Sequence, residues 1–214
     1  MNSTIPGSEY LTGTLDVISQ SLSIPVLIIL LILVIISIVV LGGFISEYTS
    51  RKKISVKTVS DGIFSISSAS STEDLINIIG NMNIPKSQKR VLTEMAETGD
   101  LDKFSREALA RKLVENEEEK IDKSLEKTDI ITRIGPTLGL MGTLIPMGPG
   151  LAALGSGDIN VLAQSLTVAF NTTIVGIGCG ALCYVISKIR RGWYDKYISD
   201  LDALSDAVLD YMNR

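Results

Sequence analysis

The groups with chemistry to offer are amides and hydroxyls set in long charge-free runs. Gln164, Ser165, Thr167, Asn171, Thr172 and Thr173 lie in one run, and Thr137 and Thr143 in another. Asn and Gln are expensive against lipid, so they face protein or water. A single membrane threonine often bonds only the carbonyl one turn back. A cluster of polar residues opposite a Gly and Thr stripe points instead to a packed or wet interior. The chain has no histidine, and no Asp, Glu, Lys or Arg falls in either run. A proton wire or ion pump needs an ionisable group in the membrane, so any carboxylate must come from a second protein. Cys179 and Cys183 stand one turn apart. A thiolate metal site needs more ligands than lie nearby, so they read as small packing residues. No nucleophile–base pair, metal cluster or phosphate loop is visible, which argues against an enzyme. No cofactor or metal is expected, and a net charge of −4 gives no pull toward nucleic acid.

The elements that hold these groups are hydrophobic helices. The 214 residues are 45% hydrophobic. Three runs lack charge: Ile24 to Phe44, Ile134 to Leu154 and Val161 to Ile186. Each is long enough, at about 1.5 Å per residue, to cross a hydrocarbon core of about 30 Å. In lipid the backbone must satisfy its own hydrogen bonds, so each is a helix. The expected plan is an all-α membrane protein with seven segments. These are an external tail over 1–23, a first span over 24–45, a cytoplasmic helical segment over 46–133, a second span over 134–154, a short external loop over 155–160, a third span over 161–187 and a cytoplasmic helix over 188–214. Spans two and three run on into cytoplasmic helices.

Charge sets the orientation. No Lys or Arg precedes the first run, which is also too long for the apolar part of a cleaved signal peptide. Arg51 to Lys53 follow it, Arg133 precedes the second run, and Lys188, Arg190 and Arg191 follow the third. By the positive-inside rule the N-terminus lies outside and the C-terminus in the cytoplasm. The chain is therefore expected to be a multi-pass protein of the cell (inner) membrane.

The tail reads as polar and loosely ordered. The first span reads as lipid-facing, with Pro25 in its first turn, where a missing N–H costs least. In the cytoplasmic segment a Ser-rich patch, Ser65 to Ser71, leads into a helix with Ser71 and Asp74 at capping-box spacing. A second short helix enters through Pro85. A third, capped by Asp100, starts near residue 101 and runs without Gly or Pro into the second span. Leu101, Phe104, Ala108, Leu109, Leu113, Ile121, Leu125 and Ile131 form its apolar stripe, and its charged face reads as solvated surface. Beyond the third span, Tyr194, Ile198, Leu201, Leu204, Val208 and Tyr211 form a stripe that needs a cover. The segment 46–133 or a neighbouring copy must supply it.

Membrane helices associate where small residues let backbones approach. The second span places Gly135, Gly139, Gly142, Thr143, Pro146 and Gly150 along one stripe. The third places Ser165, Ala169, Thr172 or Thr173, Gly176 and Gly180 along another. The stretch "GLMGTLIPMGPG", residues 139 to 150, adds two prolines and suggests a kink or widening near its end. Three spans are too few to enclose an obvious pore, which points to an oligomer around something else.

Two motifs carry a family likeness. "GPTLGLMGTL", Gly135 to Leu144, is similar to the Ala-Pro-x-x-Gly-Leu-x-Gly-Thr-Val motif that opens the second span of the TolQ and ExbB proteins. "TIVG", Thr173 to Gly176, matches a Thr followed three residues later by Gly. The chain thus resembles the MotA/TolQ/ExbB proton-channel family, by motif over residues 133–187 and by topology throughout. The resemblance implies a ring-forming homo-oligomer, typically a pentamer, around single-span ExbD-, TolR- or MotB-like partners that each carry a membrane Asp. It implies that ring threonines line the ion path, here Thr143 and Thr173, with Asn171, Thr172 and Thr137 as further pathway residues. Gly135, Gly139, Gly142, Gly176 and Gly180 are then the packing residues. Ion flow would drive rotation or rocking of the partner. Val168 stands where that branch usually has Glu, and Pro146 where it usually has Gly, so sodium in place of protons stays open. The reading from a different class is a non-conducting membrane scaffold with a cytoplasmic interaction platform.

Overall fold

In the computed structural model the described residues are 8–51 and 54–214. Lys52 and Lys53, part of the basic run after the first span, lie outside them. The described chain is helical: α1 Ser8–Ser50, α2 Val56–Ser67, α3 Thr72–Asn81, α4 Lys86–Ala96, α5 Lys103–Gly155 and α6 Ile159–Met212. Three of these, α1, α5 and α6, are long and apolar enough to cross a membrane. The chain divides into two compact units. One takes residues up to Ser46 with Lys127–Ser187, and the other Glu47–Glu126 with Lys188–Arg214.

The first unit is a bundle of α1, α5 and α6. Val26, Leu30, Leu33 and Ser37 recur at helical spacing on one face of α1 and are buried. They pack with Ile131, Leu138, Cys179 and Cys183. The Ser37 hydroxyl lies 3.7 Å from the Cys183 sulfur. The first span therefore has a protein-facing side, where a wholly lipid-facing helix was expected, and Ser37 is the polar group on it.

Of the expected loose tail, residues 1–7 lie outside the described residues, and the rest is helical, since α1 begins at Ser8. Thr14 and Ser21 donate to the Tyr10 and Val17 carbonyls, each at 2.7 Å, so their hydroxyls stay within the helix instead of competing with it. Pro25 consequently sits in the helix interior and not in a first turn.

Helix α5 runs unbroken from Lys103 to Gly155 with Pro136, Pro146 and Pro149 inside it. The prolines do not interrupt it, as in other membrane helices where neighbours satisfy the freed carbonyls. A tight turn joins α5 to α6. Gly157 takes φ +83°, open to a residue without Cβ, and the Asp158 N–H closes back on the Ala153 carbonyl at 2.9 Å. The Asp158 carboxylate then accepts from the Asn160 and Val161 N–H groups at 3.1 and 3.2 Å, capping α6.

The second unit is a helical domain built from α2, α3, α4 and parts of α5 and α6. Ser55 caps α2, a helix that the Ser-rich composition concealed. Ser71 caps α3, receiving the Asp74 N–H at 3.2 Å, while Asp74 accepts from the Ser70 N–H at 3.0 Å. Helix α4 follows Pro85. Asp102, and not Asp100, caps α5, accepting from Phe104 and Ser105. Leu201, Leu204 and Val208 of α6 are fully buried in a core with Ile66, Leu75, Ile79, Leu92 and Met95. The chain's own α2–α4 segment is thus the cover for that stripe.

The apolar stripe read along the start of α5 is out of phase. Phe104 is 80% exposed, and Ala108 is exposed too. Arg106, Ala110 and Glu117 point inward there instead, whereas Leu125 and Ile131 of the expected stripe are buried. The two charged residues tolerate burial because each is partnered. Arg106 donates to the Met212 carbonyl at 2.6 Å, the Leu101 carbonyl at 2.8 Å and Asn213 Oδ1 at 3.1 Å, clasping the end of α6. Glu117 accepts from Lys120 at 2.6 Å and Arg90 at 3.1 Å. That face of α5 is thus not a purely solvated surface.

Two substitutions separate the observed phase from the expected one. Leu204→Ala should cost about 2–5 kcal/mol through lost burial and a cavity. Phe104→Ala should change stability by less than about 0.5 kcal/mol. Denaturant unfolding of the detergent-solubilised chain, followed by circular dichroism, measures both.

Candidate functional site

The polar residues of the charge-free runs are positioned by a seam between α5 and α6. A Cβ added to Gly176 would lie 2.5 Å from the Gly135 carbonyl oxygen and 2.7 Å from Gly139 Cα. One on Gly135 would lie 2.7 Å from the Gly176 oxygen, and one on Gly180 would lie 2.7 Å from Pro136 Cδ. One on Gly139 would meet the Thr172 carbonyl at 3.2 Å. Real Cβ atoms essentially never come within 3 Å of such atoms, so glycine is required by contact at Gly135 and Gly176, against backbone, and at Gly180, against the Pro136 ring. Further along, Gly142 abuts the Thr172 side chain and Gly150 abuts Ser165. The two helices therefore run antiparallel with their backbones nearly touching, the arrangement small residues permit in a membrane.

The seam sorts the polar side chains into three groups. Thr172 is buried inside it, its hydroxyl shared between the Val168 and Ala169 carbonyls at 3.0 and 2.9 Å. Thr172 packs the seam and faces no open space.

Thr143 and Thr173 lie on one rim. The Thr173 hydroxyl is 3.5 Å from the Gly139 carbonyl, a long hydrogen bond. That carbonyl is the one to which the Thr143 N–H is directed in an α-helix. The Thr143 hydroxyl is half-exposed and donates to the Leu140 carbonyl at 2.6 Å. Residues two apart differ by about 200° around a helix. Thr143 stands two from Met141 and Ile145, and Thr173 two from Val175, all of which pack against the core cluster to which α1 contributes Val26, Leu30 and Leu33. Both threonines are therefore on the rim turned away from that cluster.

Asn171 and Thr137 do not join them. Asn171 is two residues from Thr173 and is exposed on the opposite side of α6. Thr137 is two residues from both Gly135 and Gly139, so it is exposed on the side of α5 away from α6, with its hydroxyl on the Arg133 carbonyl at 3.0 Å. Gln164 and Thr167 are exposed as well. The five residues expected along one path thus occupy four different places: the seam, the rim, and the outer sides of α6 and α5.

The sequence reading passed over a carboxylate at the end of this unit. Ser187, buried, donates to Asp129 Oδ1 at 2.5 Å. Asp129 lies in the charged stretch before the second run, where nothing marked it as different from its neighbours. Among the described residues, no three His, Cys, Asp or Glu side chains are grouped to hold a metal ion.

In the second unit the basic residues next to the runs are tied down. Arg190 pairs with Glu47 at 2.8 Å, and the Tyr194 hydroxyl donates to the same carboxylate at 3.0 Å. Burial lifts the Tyr194 phenol above its ordinary pKa, so it remains a neutral donor. Arg51 stacks 4.7 Å from the Trp193 ring centre and donates to the Trp193 carbonyl at 2.9 Å. Arg and aromatic groups of this kind are enriched at membrane–water interfaces.

Residues 82–203, which include the whole seam, match the family described as the MotA/TolQ/ExbB proton channel family. Over 116 residues the chain is 33% identical to a protein of Vibrio cholerae serotype O1 named biopolymer transport protein exbB1. The match covers 52% of this chain and 49% of that one, so the chain spans about half the length of this curated relative.

Two glycines of α6 should respond oppositely to a single methyl group. Gly176→Ala forces a Cβ into the α5 backbone and should cost about 1–3 kcal/mol. Gly178→Ala meets nothing within 4 Å and should be neutral or slightly stabilising, since Ala is the better helix former. Unfolding midpoints of the two variants in the same detergent check the contrast.

Proposed function

The chain belongs to the MotA/TolQ/ExbB proton channel family, and we propose that it is a ring subunit of an ion-driven motor in the cell membrane. In this reading, copies of the chain form a homopentamer around a single-span ExbD- or TolR-like partner. The N-terminus is outside and the C-terminus cytoplasmic. Protons load onto and leave a membrane Asp of the partner, and their passage drives that partner mechanically.

The observation that carries the reading is the rim formed by Thr143 and Thr173 beside the Gly139 carbonyl. It presents hydroxyls and a backbone oxygen on a surface turned away from the core cluster that α1 joins. Between Ile134 and Ile186 the only ionisable side chains other than cysteine and tyrosine are those of the turn, where Asp158 caps α6. Hydroxyls donate to and accept from a carboxylate in either protonation state but are too weakly acidic to replace it. The carboxylate must then come from another chain, and the rim supplies what would stabilise it without fixing its proton.

The smooth seam behind the rim supports the same division of labour. Close backbone contact makes α5 and α6 one rigid wall, against which a partner helix can turn. A charge moved through the full potential releases about 2.3 kcal/mol per 100 mV, so substantial work needs several ions per step. In the sequence, Arg51 after the first run, Arg133 before the second and Arg190 and Arg191 after the third supply the positive charge expected at the cytoplasmic face.

The test is ion flux in vesicles holding the chain together with a single-span ExbD- or TolR-like protein that carries a membrane Asp. Thr143→Val and Thr173→Val keep the side-chain shape and remove the hydroxyl. Each should lower flux by at least about tenfold, equivalent to about 1.4 kcal/mol of barrier. Full flux in both variants would overturn the role given to the rim, and no flux from the wild-type assembly would favour the non-conducting scaffold reading instead.

A further inference from the structure

The second unit has a groove that the ion path leaves unused. It lies between α5 and α6, inside the unit formed by Glu47–Glu126 and Lys188–Arg214. Two adjoining hollows of about 460 and 590 Å³ form it, and Glu118 and Asp202 line both. Asp202 and Asp206 each stand two residues from the fully buried Leu204, so the groove is on the side of α6 turned away from the core with α2–α4. From Glu107 to Asp122 it follows α5 for about 22 Å, or about four turns.

Its lining combines two kinds of surface. Val114, Ile121, Ile198 and Leu209 form a half-buried apolar floor. Acids form both walls: Glu107, Glu115, Glu118 and Asp122 from α5, and Asp195, Asp202 and Asp206 from α6. Arg111 is the one cation among these lining residues. Of the seven carboxylates, only Glu115 has an ion-pair partner among the described residues, Lys112 at 2.9 Å. Seven acids and one Arg give the groove a charge of −6 against −4 for the whole chain, so the rest of the chain carries +2. Like charges on facing helices repel, and nothing inside one copy offsets that cost. Burial, and then Asp206, lift the Asp202 carboxyl above its ordinary range, the direction expected of a carboxylate crowded by another.

The combination selects the occupant. A metal ion does not suit acids strung along four turns, and among the described residues no three ligands are grouped. A small polyvalent cation would leave the floor unused. A helix with an aliphatic stripe flanked by Lys or Arg uses floor and walls together. The sequence also places the groove close to the charge-free runs. Tyr194 follows Ile186, at the end of the third run, by eight residues, and Asp122 precedes Ile134, at the start of the second, by twelve. A single-span protein carries its own Lys and Arg beside its span on the cytoplasmic side. We infer that the groove binds this basic flank of the single-span partner as an amphipathic helix, with aliphatic side chains on Val114, Ile121, Ile198 and Leu209 and cations against the acidic walls. This assignment rests on the partnered reading above and adds a second hold on the partner, outside the membrane.

A crosslink from inside the groove tests it and leaves the acids in place. Ser199 is exposed and lines the groove, whereas Cys179 and Cys183 are buried. The full chain with Ser199→Cys is assembled with a single-span ExbD- or TolR-like protein that carries a membrane Asp and a Lys- or Arg-rich cytoplasmic flank, then labelled with a thiol-directed photo-crosslinker. Illumination should join one chain to one partner through that flank. Glu73→Cys, exposed but outside the groove, should give no such product. Adding Glu118→Lys and Asp202→Lys should lower the yield at least about tenfold, whereas Asp61→Lys with Glu73→Lys, the same change of charge elsewhere, should leave it within about twofold. Joining of Ser199→Cys to a second copy of the chain, or to no protein, overturns the assignment. So does an equal loss in the two charge-reversed pairs, which would mean attraction by bulk charge alone. A partner that copurifies but is never joined sinks only the groove, whereas a wild-type chain that holds no partner sinks the motor reading as well, so the two failures are distinguishable.

Discussion

The close backbone contact between α5 and α6 is the constraint on which the rest of the membrane unit depends. Gly176 lies so near Gly135 and Gly139 that a single methyl group cannot be placed there. No solvent-driven hydrophobic force holds two helices together in lipid, so dispersion between close surfaces has to do it. That contact fixes the register of the hairpin. The register in turn decides which hydroxyl is buried, which is on the rim and which is left outside. Thr172 and Thr173 are adjacent in sequence, yet one is sealed in the seam and the other reaches its edge.

Charge is handled differently in the two units. The membrane unit holds hydroxyls and amides in its charge-free runs, and its acids lie outside those runs. Asp158 caps the turn, and Asp129 accepts from Ser187. The other unit buries charge openly, with Arg106 clasping the end of α6 and Glu117 neutralised by Arg90 and Lys120. Such groups are costly to bury unless paired, and here each holds one helix in place against another.

Parts of this were legible in the sequence for clear reasons. Charge-free runs of membrane length leave few alternatives to helices, and spacing of three and four puts Gly135, Gly139 and Gly142 on one stripe whatever the context. The capping pair of Ser71 and Asp74 is a local interaction and needs no tertiary information. Helix α2 was hidden because its serines signal a loop, and only burial of Val59 and Ile66 against the core makes the helix worthwhile. The phase of α5 was misjudged because Arg106 and Glu117 were counted as outward, a rule that fails wherever partners are available.

What the sequence by itself determined is local and periodic: where helices run, which residues share a face, and the absence of any acid from the charge-free runs. These follow from the helix repeat and the cost of charge in hydrocarbon, which act on every segment alone. Only the tertiary structure decided which face meets which. It took the core cluster that α1 shares with Met141, Ile145 and Val175 to define the rim on which Thr143 and Thr173 lie. It took the seam to separate glycines that are filled from those left open. Periodicity gives the angle between two residues on one helix, but the direction of either is fixed only when another helix is packed against it.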